Sequence, residues 1–277
     1  MDSRVKAFFD SVKGKRVTFC GVGVSNAPLV EMFGKKGAIV TVCDRRSREQ
    51  LGELGDRFER QGVTLCLGDG YLDHLDADII FRTPGMRFYM PELTRARRDG
   101  MAVTSELEVF FDLCPCPIYA VTGSDGKTTT TTVISKMLEA QGNRVHLGGN
   151  IGRALLPLVE EIRPEDVAVV ELSSFQLISM RRSPKVAVIT NISPNHLDMH
   201  KDMAEYVNAK KNIFLHQNAF GKAVFNADNE ITASFTGEAR GQVLQFSRRH
   251  PVEAGAWLRE DGMMMMTHAG AETELFP

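Results

Sequence analysis

Short apolar runs alternate along the chain with longer segments in which apolar residues recur at helical spacing. The first run, residues 17–20, leads through two glycines into a segment that predicts a helix over residues 28–36. Pro28 suits the first turn of that helix, and Gly37 suits its end. Three further runs are typical of strands: residues 39–43, 63–67 and 79–81. This alternation predicts a parallel sheet with helices on its faces.

A proline-containing break at residues 113–117 interrupts the rhythm, which then starts again. Residues 118–121 predict a strand, and residues 128–141 predict a helix. We expect the apolar face of this helix to consist of four residues: Val133, Ile134, Met137 and Leu138.

Near-continuous apolar runs follow at residues 167–172, 186–190 and 223–226, and such runs are typical of strands buried on both faces. After residue 242 the pattern weakens, and residues 263–266 predict a short edge strand. The fold class is therefore α/β with two parallel-sheet domains. The first, over residues 1–114, is Rossmann-like, and the second, over residues 118–277, is built around a phosphate loop.

Composition narrows the class of protein. The net charge of −2 over 277 residues provides no broad basic field for nucleic acid or an anionic membrane. No apolar run approaches the roughly 18 residues of a membrane span, and residues 1–15 lack the core of a signal peptide. We therefore expect a cytoplasmic protein without a membrane or nucleic-acid partner.

The five cysteines have no regular spacing, which argues against a disulfide framework. Cys20, Cys43 and Cys66 each lie in a strand-like run and are expected to be buried, reduced thiols. Cys114 and Cys116 have the spacing C-x-C rather than C-x-x-C, which favours incidental thiols in a linker over a metal or redox pair.

A phosphate-binding loop is the strongest chemical signal. It has the sequence Gly-Ser-Asp-Gly-Lys-Thr at residues 123–128, after a predicted strand and before a predicted helix. Its glycines let backbone N–H groups turn toward a phosphate, Lys127 reaches the β- and γ-phosphates, and the Thr128 hydroxyl suits Mg²⁺. Val121 stands where the standard pattern has its first glycine.

Other polar residues follow buried strands of the second half. Glu171 ends the run at 167–172, where a carboxylate points into the same crevice as the phosphate loop; it is either a Mg²⁺ ligand or a helix cap. His196 and His200 are four residues apart, but Leu197 breaks the zinc motif H-E-x-x-H, so His196 remains a general functional candidate. By spacing alone, Lys210 and Lys211 are a solvated basic pair.

A second glycine loop, residues 21–26, follows the first strand. Asn26 replaces the third glycine of the pattern G-x-G-x-x-G, and Asp44 lies at the end of the next strand, close to where an acidic ribose ligand is placed in dinucleotide folds. Either a dinucleotide or another nucleotide diphosphate fits this pattern. Arg82 and Arg87 flank the nearby segment 83–86, where they either meet a diphosphate or are solvated.

In this order the motifs resemble the Mur ligases, most closely the members that add D-glutamate to UDP-N-acetylmuramoyl-L-alanine. Glu-Leu-Ser-Ser-Phe-Gln-Leu at residues 171–177 is the most specific match. The other matching segments are residues 21–25, 44–46, 83–86, 122–129, 148–152, 191–198, 209–210 and 226–228.

The resemblance implies roles for individual residues. ATP would be bound by Gly123, Ser124, Asp125, Gly126, Lys127, Thr128, Thr129 and Asn226. The UDP substrate would be bound by Val24, Ser25, Asp44, Arg45, Arg46, Thr83, Pro84, Gly85, Asn150, Ser173 and Gln176. One Mg²⁺ would be held by Thr128 and Glu171, and a second metal ion by His196 and a carbamylated Lys210. Lys127, His196 and Lys210 would be the catalytic residues.

The implied activity is the ATP-dependent formation of an amide bond in peptidoglycan precursor synthesis, through an acyl phosphate, by a monomer. Members of the family have a third, C-terminal domain. The sequence is expected to lack that domain and the last part of the central domain, so that it binds the UDP substrate, binds ATP only weakly, and ligates little or nothing.

Three alternatives remain. The chain is a sister Mur ligase or a folylpolyglutamate synthetase, a non-catalytic nucleotide-binding module, or a nicotinamide-dependent dehydrogenase. The last leaves the phosphate loop unexplained.

Overall fold

A computed structural model describes residues 2–194 and 200–277. The chain divides into two compact units. The first contains the residues up to 116 together with 152–164, and the second contains residues 117–151 and 165–277. From the hydrophobic pattern alone, residues 152–164 are expected in the second domain.

The first unit has a five-stranded parallel sheet in the order β3-β2-β1-β4-β5. Its strands are β1 Arg16–Cys20, β2 Ile39–Asp44, β3 Thr64–Leu67, β4 Ile79–Arg82 and β5 Ala102–Thr104. Its helices are α1 Ser3–Val12, α2 Ala27–Lys35, α3 Arg48–Leu51, α4 Glu53–Arg60, α5 Pro91–Arg98 and α6 Glu106–Leu113. The parallel sheet and the helix after the first glycine loop agree with the sequence prediction.

Stacked and edge-on aromatic rings form one side of the core in this unit. Phe33 of α2 contacts Phe19 of β1 and Phe81 of β4, with ring centroids 5.5 and 5.0 Å apart. The three strand cysteines lie in register across β1, β2 and β3. Cys20 and Cys43 are buried as predicted, while Cys66, on the edge strand, is half-buried.

The 152–164 segment is attached to the first unit by a buried carboxylate. Glu106, the first residue of α6, is 4% exposed, and its Oε1 accepts the N–H groups of Leu155 and Leu156 at 2.7 Å each. These N–H groups begin a short 3-10 turn at Leu156–Leu158, where no earlier carbonyl is available to them. Glu106 therefore supplies the acceptor that this turn lacks.

The second unit has a nine-stranded sheet in the order β14-β13-β12-β11-β10-β9-β6-β8-β7. Its strands are β6 Ile118–Thr122, β7 Val145–Gly149, β8 Val167–Glu171, β9 Val186–Ile189, β10 Lys222–Asn226, β11 Gln242–Ser247, β12 Gly255–Leu258, β13 Met264–His268 and β14 Ala271–Phe276. Its helices are α7 Lys127–Ala140, α8 Ser174–Leu177, α9 Met203–Leu215 and α10 Glu230–Ala233. Pairing is parallel from β7 to β12 and antiparallel from β12 to β14.

One sequence prediction for this unit was wrong, and α7 packs through residues other than its apolar face. The strand predicted at 263–266 exists as β13, but it is not at the edge, because β14 pairs with its outer side. The α7 helix buries Thr131 and Ser135, whereas Val133 and Met137 are 50% and 61% exposed. α7 packs on β6, β7 and β8 through these small hydroxyl residues, which let helix and sheet approach closely.

Within the described residues, no helix combines the length and the apolarity that crossing a membrane requires.

Candidate active site

The phosphate loop joins the end of β6 to the start of α7, and two of its positions require glycine. Gly126 adopts φ +77° immediately before the helix, a left-handed conformation that glycine tolerates best. Gly123 has φ +153°, and a Cβ there would lie only 1.9 Å from Thr190 Oγ1. Thr190, which directly follows β9, therefore lies too close to the loop for any side chain at position 123.

Residues after β9 hold this loop in place. Ser124 donates its N–H to the carbonyl of Asn191 at 2.9 Å, and its buried hydroxyl accepts the N–H of Ser193 at 2.9 Å. The N–H of Asp125 donates to Asn191 Oδ1 at 3.0 Å, and the Thr190 hydroxyl donates to the Asp125 carbonyl at 2.6 Å. Ser124 is thus a scaffold of the loop, and its role as an ATP ligand stays a prediction.

Lys127, Thr128 and Thr129 begin α7. The Lys127 ammonium donates to the carbonyl of Ser124 at 2.9 Å, so it lies folded over its own loop. Thr129 is exposed on the first turn of the helix.

A carboxylate lies beside this helix start. The Thr128 hydroxyl donates to Glu171 Oε2 at 2.7 Å, and the Asn150 amide donates to Glu171 Oε1 at 2.8 Å. Glu171 is 1% exposed, at the end of β8. By its position in the sequence, Glu171 is either a metal ligand or a helix cap. Ser173, not Glu171, caps α8.

The donor set at this place fits a hard cation. Mg²⁺ in proteins takes one or two carboxylates and completes its six ligands with phosphate oxygens and water. Thr128 and Glu171 supply a hydroxyl and a carboxylate oxygen within contact distance of each other, at the mouth of a phosphate loop. Among the described residues, no group of three or more His, Cys, Asp or Glu side chains is arranged for a metal ion.

Lys210 lies in the interior, which contradicts its description as a solvated residue. It is 2% exposed on α9, and its Nζ donates to the Gly123 carbonyl at 2.7 Å and lies 3.3 Å from Thr122 Oγ1. Burial, with a smaller contribution from the charge of Lys127, lowers the pKa of Lys210 to about 7. The lowered pKa increases the neutral fraction of the Lys210 amine at neutral pH. Lys211, by contrast, pairs with Glu238 at 2.5 Å.

The remaining predicted residues of this unit lie at neighbouring strand ends. The Asn226 amide, at the end of β10, donates to the Thr190 carbonyl at 2.9 Å. Ser173 and Gln176 form a capping box at the start of α8, with Gln176 Oε1 accepting the Ser173 N–H at 2.8 Å. His196 lies in the segment 195–199, outside the described residues.

The first unit presents its own nucleotide-type turn. Although burial by itself raises the pKa of the Asp44 carboxyl, hydrogen bonds from Arg46 and from the Val22 N–H lower it to about 2. Arg46 Nε lies 2.9 Å from Asp44 Oδ1, and the Val22 N–H lies 2.9 Å from Oδ2. Asp44 therefore ties Arg46 to the glycine turn, while Arg45 and Val24 are exposed beside it.

Asn26 stands where the motif has its third glycine, and its side chain forms hydrogen bonds across the turn. Its side chain is fully buried, and Nδ2 donates to the Gly21 carbonyl at 2.8 Å. Longer contacts of 3.4 Å reach the carbonyls of Cys20 and Phe81, at or near the ends of β1 and β4. The turn is therefore held closed by a side chain that the glycine pattern does not include.

The segment with Thr83, Pro84 and Gly85 follows β4, and the arginines that flank it differ from each other. Arg82 is 1% exposed, so it is not solvated; its guanidinium lies 5.5 Å from the Phe88 ring centroid, and burial lowers its pKa. Arg87 is exposed. Arg97 of α5 packs on the same ring at 4.2 Å and donates to the Phe88 carbonyl.

Sequence reasoning missed Tyr206, whose hydroxyl lies 2.9 Å from Ser124 Oγ. It precedes Lys210 by four residues on α9, and helical residues at that spacing share a face. That spacing was the available signal. Thr190, Asn191 and Ser193 were not assigned to the loop, although residues 191–198 match the family, because their contacts with the loop depend on strand order.

Comparison with known proteins gives one family. The model of the Mur ligase middle domain matches residues 121–276. The chain is 50% identical to a UDP-N-acetylmuramoylalanine–D-glutamate ligase of Acetivibrio thermocellus, over 99% of this chain and 59% of that protein. It is 46% identical to the ligase of the same name from Clostridium novyi, over 96% of this chain and 58% of that protein. The chain thus spans about three fifths of the length of these curated relatives.

Solved structures resemble the fold. A UDP-N-acetylmuramate:L-alanyl-γ-D-glutamyl-meso-diaminopimelate ligase from Neisseria meningitides superposes with a TM-score of 0.59 at 17% identity, covering 94% of this chain and 86% of the other. A UDP-N-acetylmuramate–alanine ligase from Thermotoga maritima gives 0.52 at 20% identity, covering 94% and 60%.

Proposed function

The chain belongs to the Mur ligase family, and on that basis we propose that it forms part of an ATP-dependent ligase of peptidoglycan precursor synthesis. The proposed ligase joins D-glutamate to UDP-N-acetylmuramoyl-L-alanine. The observation that carries the ATP-dependent step is the contact between Thr128 Oγ1 and Glu171 Oε2 at the mouth of the phosphate loop. The choice of D-glutamate is supported by the relatives that share about half of their residues with this chain.

The chemistry starts from a carboxylate, which does not react with an amine because oxide is a poor leaving group. The substrate carboxylate attacks the γ-phosphorus of ATP, ADP leaves, and an acyl phosphate forms. The amine of D-glutamate then attacks the acyl carbon, loses a proton, and inorganic phosphate leaves from the tetrahedral intermediate. Phosphoryl transfer of this kind depends on positioning and on the neutralisation of charge.

In this scheme the loop residues bind and orient ATP. The backbone N–H groups of Gly123 and Gly126 would face the phosphates at the start of α7, where the helix dipole favours negative charge. The Asp125 N–H would join them by leaving Asn191 Oδ1. Lys127 turns from the Ser124 carbonyl to the transferring phosphoryl group. Thr128 and Glu171 would hold Mg²⁺, which supplies charge neutralisation on the phosphate oxygens when bound. Asn226 would lie toward the adenine.

Lys210 is proposed to carry a carbamate. A neutral amine adds CO₂ and releases a proton, and the burial that lowers the pKa of Lys210 to about 7 makes the neutral form available. The carbamate replaces a cation by two oxygens that a second metal ion accepts. His196 is the proposed partner ligand.

The first unit is proposed to bind the UDP portion of the substrate through its glycine turn and the segment after β4. The exposed residues Val24, Arg45 and Gly85 are available for direct contact, together with Ser25, Arg46, Thr83 and Pro84. Asp44 is proposed to shape the turn, because Arg46 and the Val22 N–H already satisfy its carboxylate. Asn150, Ser173 and Gln176 remain proposed ligands of the substrate.

Calorimetric titration of this chain tests the proposal. We expect saturable binding of Mg-ATP and of UDP-N-acetylmuramoyl-L-alanine, and loss of ATP binding in Lys127→Ala. An unchanged affinity for ATP in that variant would remove Lys127 from the site. Binding of ATP without binding of the UDP substrate would favour a general nucleotide-binding module.

Phosphate release measures turnover and acceptor choice. We expect little or no release dependent on D-glutamate from these 277 residues alone. In a protein of the full length of the relatives, competition among D-glutamate, L-lysine and folate identifies the acceptor. Preference for either of the last two would assign the chain to a sister ligase or to a folylpolyglutamate synthetase.

A further inference from the structure

Two neighbouring aromatic side chains of the second unit, His200 and Tyr206, contact three of the elements to which ligand-binding roles are assigned. Tyr206 is 1% exposed, and its hydroxyl lies 2.9 Å from Ser124 Oγ in the phosphate loop. The ring of Tyr206 lies under Lys210, with Nζ 4.8 Å from the ring centroid. One side chain therefore contacts both the phosphate loop and the buried lysine.

His200 contacts α8 with one nitrogen and the start of α9 with the other. Its Nε2 lies 2.8 Å from the Ser174 hydroxyl, and its Nδ1 lies 3.2 Å from Glu205 Oε2. Its ring stacks on Phe175 at 5.2 Å between centroids and meets the edge of Tyr206 at 5.4 Å. His200 is 5% exposed, so these contacts are shielded from water.

Together these contacts form a continuous path from the phosphate loop to α8. The path runs from Ser124 through Tyr206 and His200 to Ser174. Its first and last links are hydrogen bonds between side chains, and its middle link is the edge contact between the rings of His200 and Tyr206. Ser174 is the first residue of α8, directly after the capping Ser173 and three residues after Glu171. Buried side-chain hydrogen bonds fix the separation of the elements that they join more narrowly than apolar contact does.

We propose that Tyr206 and His200 are positioning residues: the Tyr206 hydroxyl holds the phosphate loop in its nucleotide-binding form, and the His200 imidazole holds α8 in its substrate-binding form. This inference rests on the proposed function, because it assigns the two residues to the ATP and UDP-substrate sites. The positioning is expected to come from the Tyr206 hydroxyl and the His200 nitrogens, since the aromatic contacts alone are ordinary core packing.

The Tyr206→Phe substitution removes the hydroxyl and keeps the ring. We expect Mg-ATP affinity to fall about fivefold, the effect of one net hydrogen bond that orders the loop. In a Ser124→Ala background the same substitution is expected to have little further effect, because the two groups act as a pair. Tyr89→Phe is the matched control, since Tyr89 is 65% exposed in the first unit.

Two substitutions of His200 separate its polar groups from its ring. Phe keeps the ring and removes both nitrogens, whereas Gln keeps an amide within reach of Ser174 and loses the ring. We expect His200→Phe to weaken binding of UDP-N-acetylmuramoyl-L-alanine by about threefold to tenfold relative to the original chain. His200→Gln should weaken it less. Thermal unfolding of each variant reports loss of packing separately.

The outcomes distinguish the two levels of the proposal. If the original chain binds neither ligand, the proposed function fails. If it binds both, and Tyr206→Phe leaves the ATP affinity unchanged, the positioning role of Tyr206 is wrong. The reverse order of the His200 variants, with Gln weaker than Phe, would assign His200 to packing alone.

Discussion

Thr128 on the first turn of α7 donates its hydroxyl to Glu171 at the end of β8, with 2.7 Å between Oγ1 and Oε2. These residues are 43 positions apart in the chain. They meet because β6 and β8 are adjacent parallel strands whose carboxyl ends lie at the same edge of the sheet. Four predictions follow from this site and from the units that contain it.

Removing the Glu171 charge should uncouple Mg²⁺ from ATP binding. Glu171→Gln keeps the shape of the side chain but provides a neutral amide, which is a poor ligand for a hard dication. We expect the gain in ATP affinity on addition of Mg²⁺ to fall by about tenfold, or about 1.4 kcal/mol. Titration calorimetry with and without Mg²⁺ measures it. Glu139→Gln, exposed on α7, is the control, and an undiminished gain in Glu171→Gln would contradict the assignment.

Alanine at position 123 should damage the phosphate loop more than alanine at another glycine with a positive φ. A Cβ on Gly123 would lie 1.9 Å from Thr190 Oγ1, whereas one on Gly142, at φ +87°, would meet nothing within 4 Å. We expect Gly142→Ala to lower the free energy of unfolding by about 1 kcal/mol, from backbone strain alone. Gly123→Ala should cost at least about 2 kcal/mol more and abolish ATP binding, because β9 or the loop must move. Urea denaturation compares the variants, and equal losses would contradict the clash.

Carbamylation of Lys210 should be visible by carbon-13 NMR in labelled bicarbonate. The pKa of Lys210 is lowered to about 7, so its neutral, reactive form increases as the pH rises through that value. We expect a carbamate signal that grows from pH 6 to pH 8 and is lost in Lys210→Arg, because a guanidinium does not lose its proton in this range. Lys211→Arg should retain the signal. A signal that persists in Lys210→Arg would place the carbamate elsewhere.

Glu106 should make the stability of the chain depend on pH near neutrality. Burial raises the pKa of Glu106 from 4.5 to about 7, although the N–H groups of Leu156 and Leu155 lower it. The folded chain thus holds this proton more tightly than the unfolded chain does. The resulting stabilisation is complete below about 4.5 and is lost as the pH rises through 7, with an upper limit on the order of 3 kcal/mol.

In Glu106→Gln this loss of stability between pH 5 and pH 8 should disappear, because the amide has no proton to release in that range. The free energy of unfolding at a series of pH values measures the effect. Glu161→Gln changes the same formal charge at an exposed position of the same unit and should follow the original chain. If the free energies of unfolding of Glu106→Gln and Glu161→Gln change in parallel with pH, the buried carboxyl is not the source of the pH dependence.

Part of the site could be predicted from short segments of the amino-acid sequence. The phosphate loop is contiguous, so its glycines, Lys127 and Thr128 were identified without knowledge of the fold. Glu171 could be placed near the loop, because an apolar run predicts a buried parallel strand and the carboxyl ends of such strands meet at one edge. Lys210 could not: whether a lysine on a helix is solvated depends on what the helix packs against, and α9 packs on β6 and β9.

The amino-acid sequence by itself determined the α/β class, the order of the motifs and the identity of the phosphate loop. These properties depend on hydrophobic periodicity and on short segments whose residues act together. The tertiary structure alone decided that Asn26 closes the first glycine turn, that Thr131 and Ser135 face the sheet in place of the apolar side of α7, and that Tyr206 contacts Ser124 of the phosphate loop. These relationships arise from strand order and close packing, which place residues distant in the chain within hydrogen-bonding distance, and no local pattern encodes them.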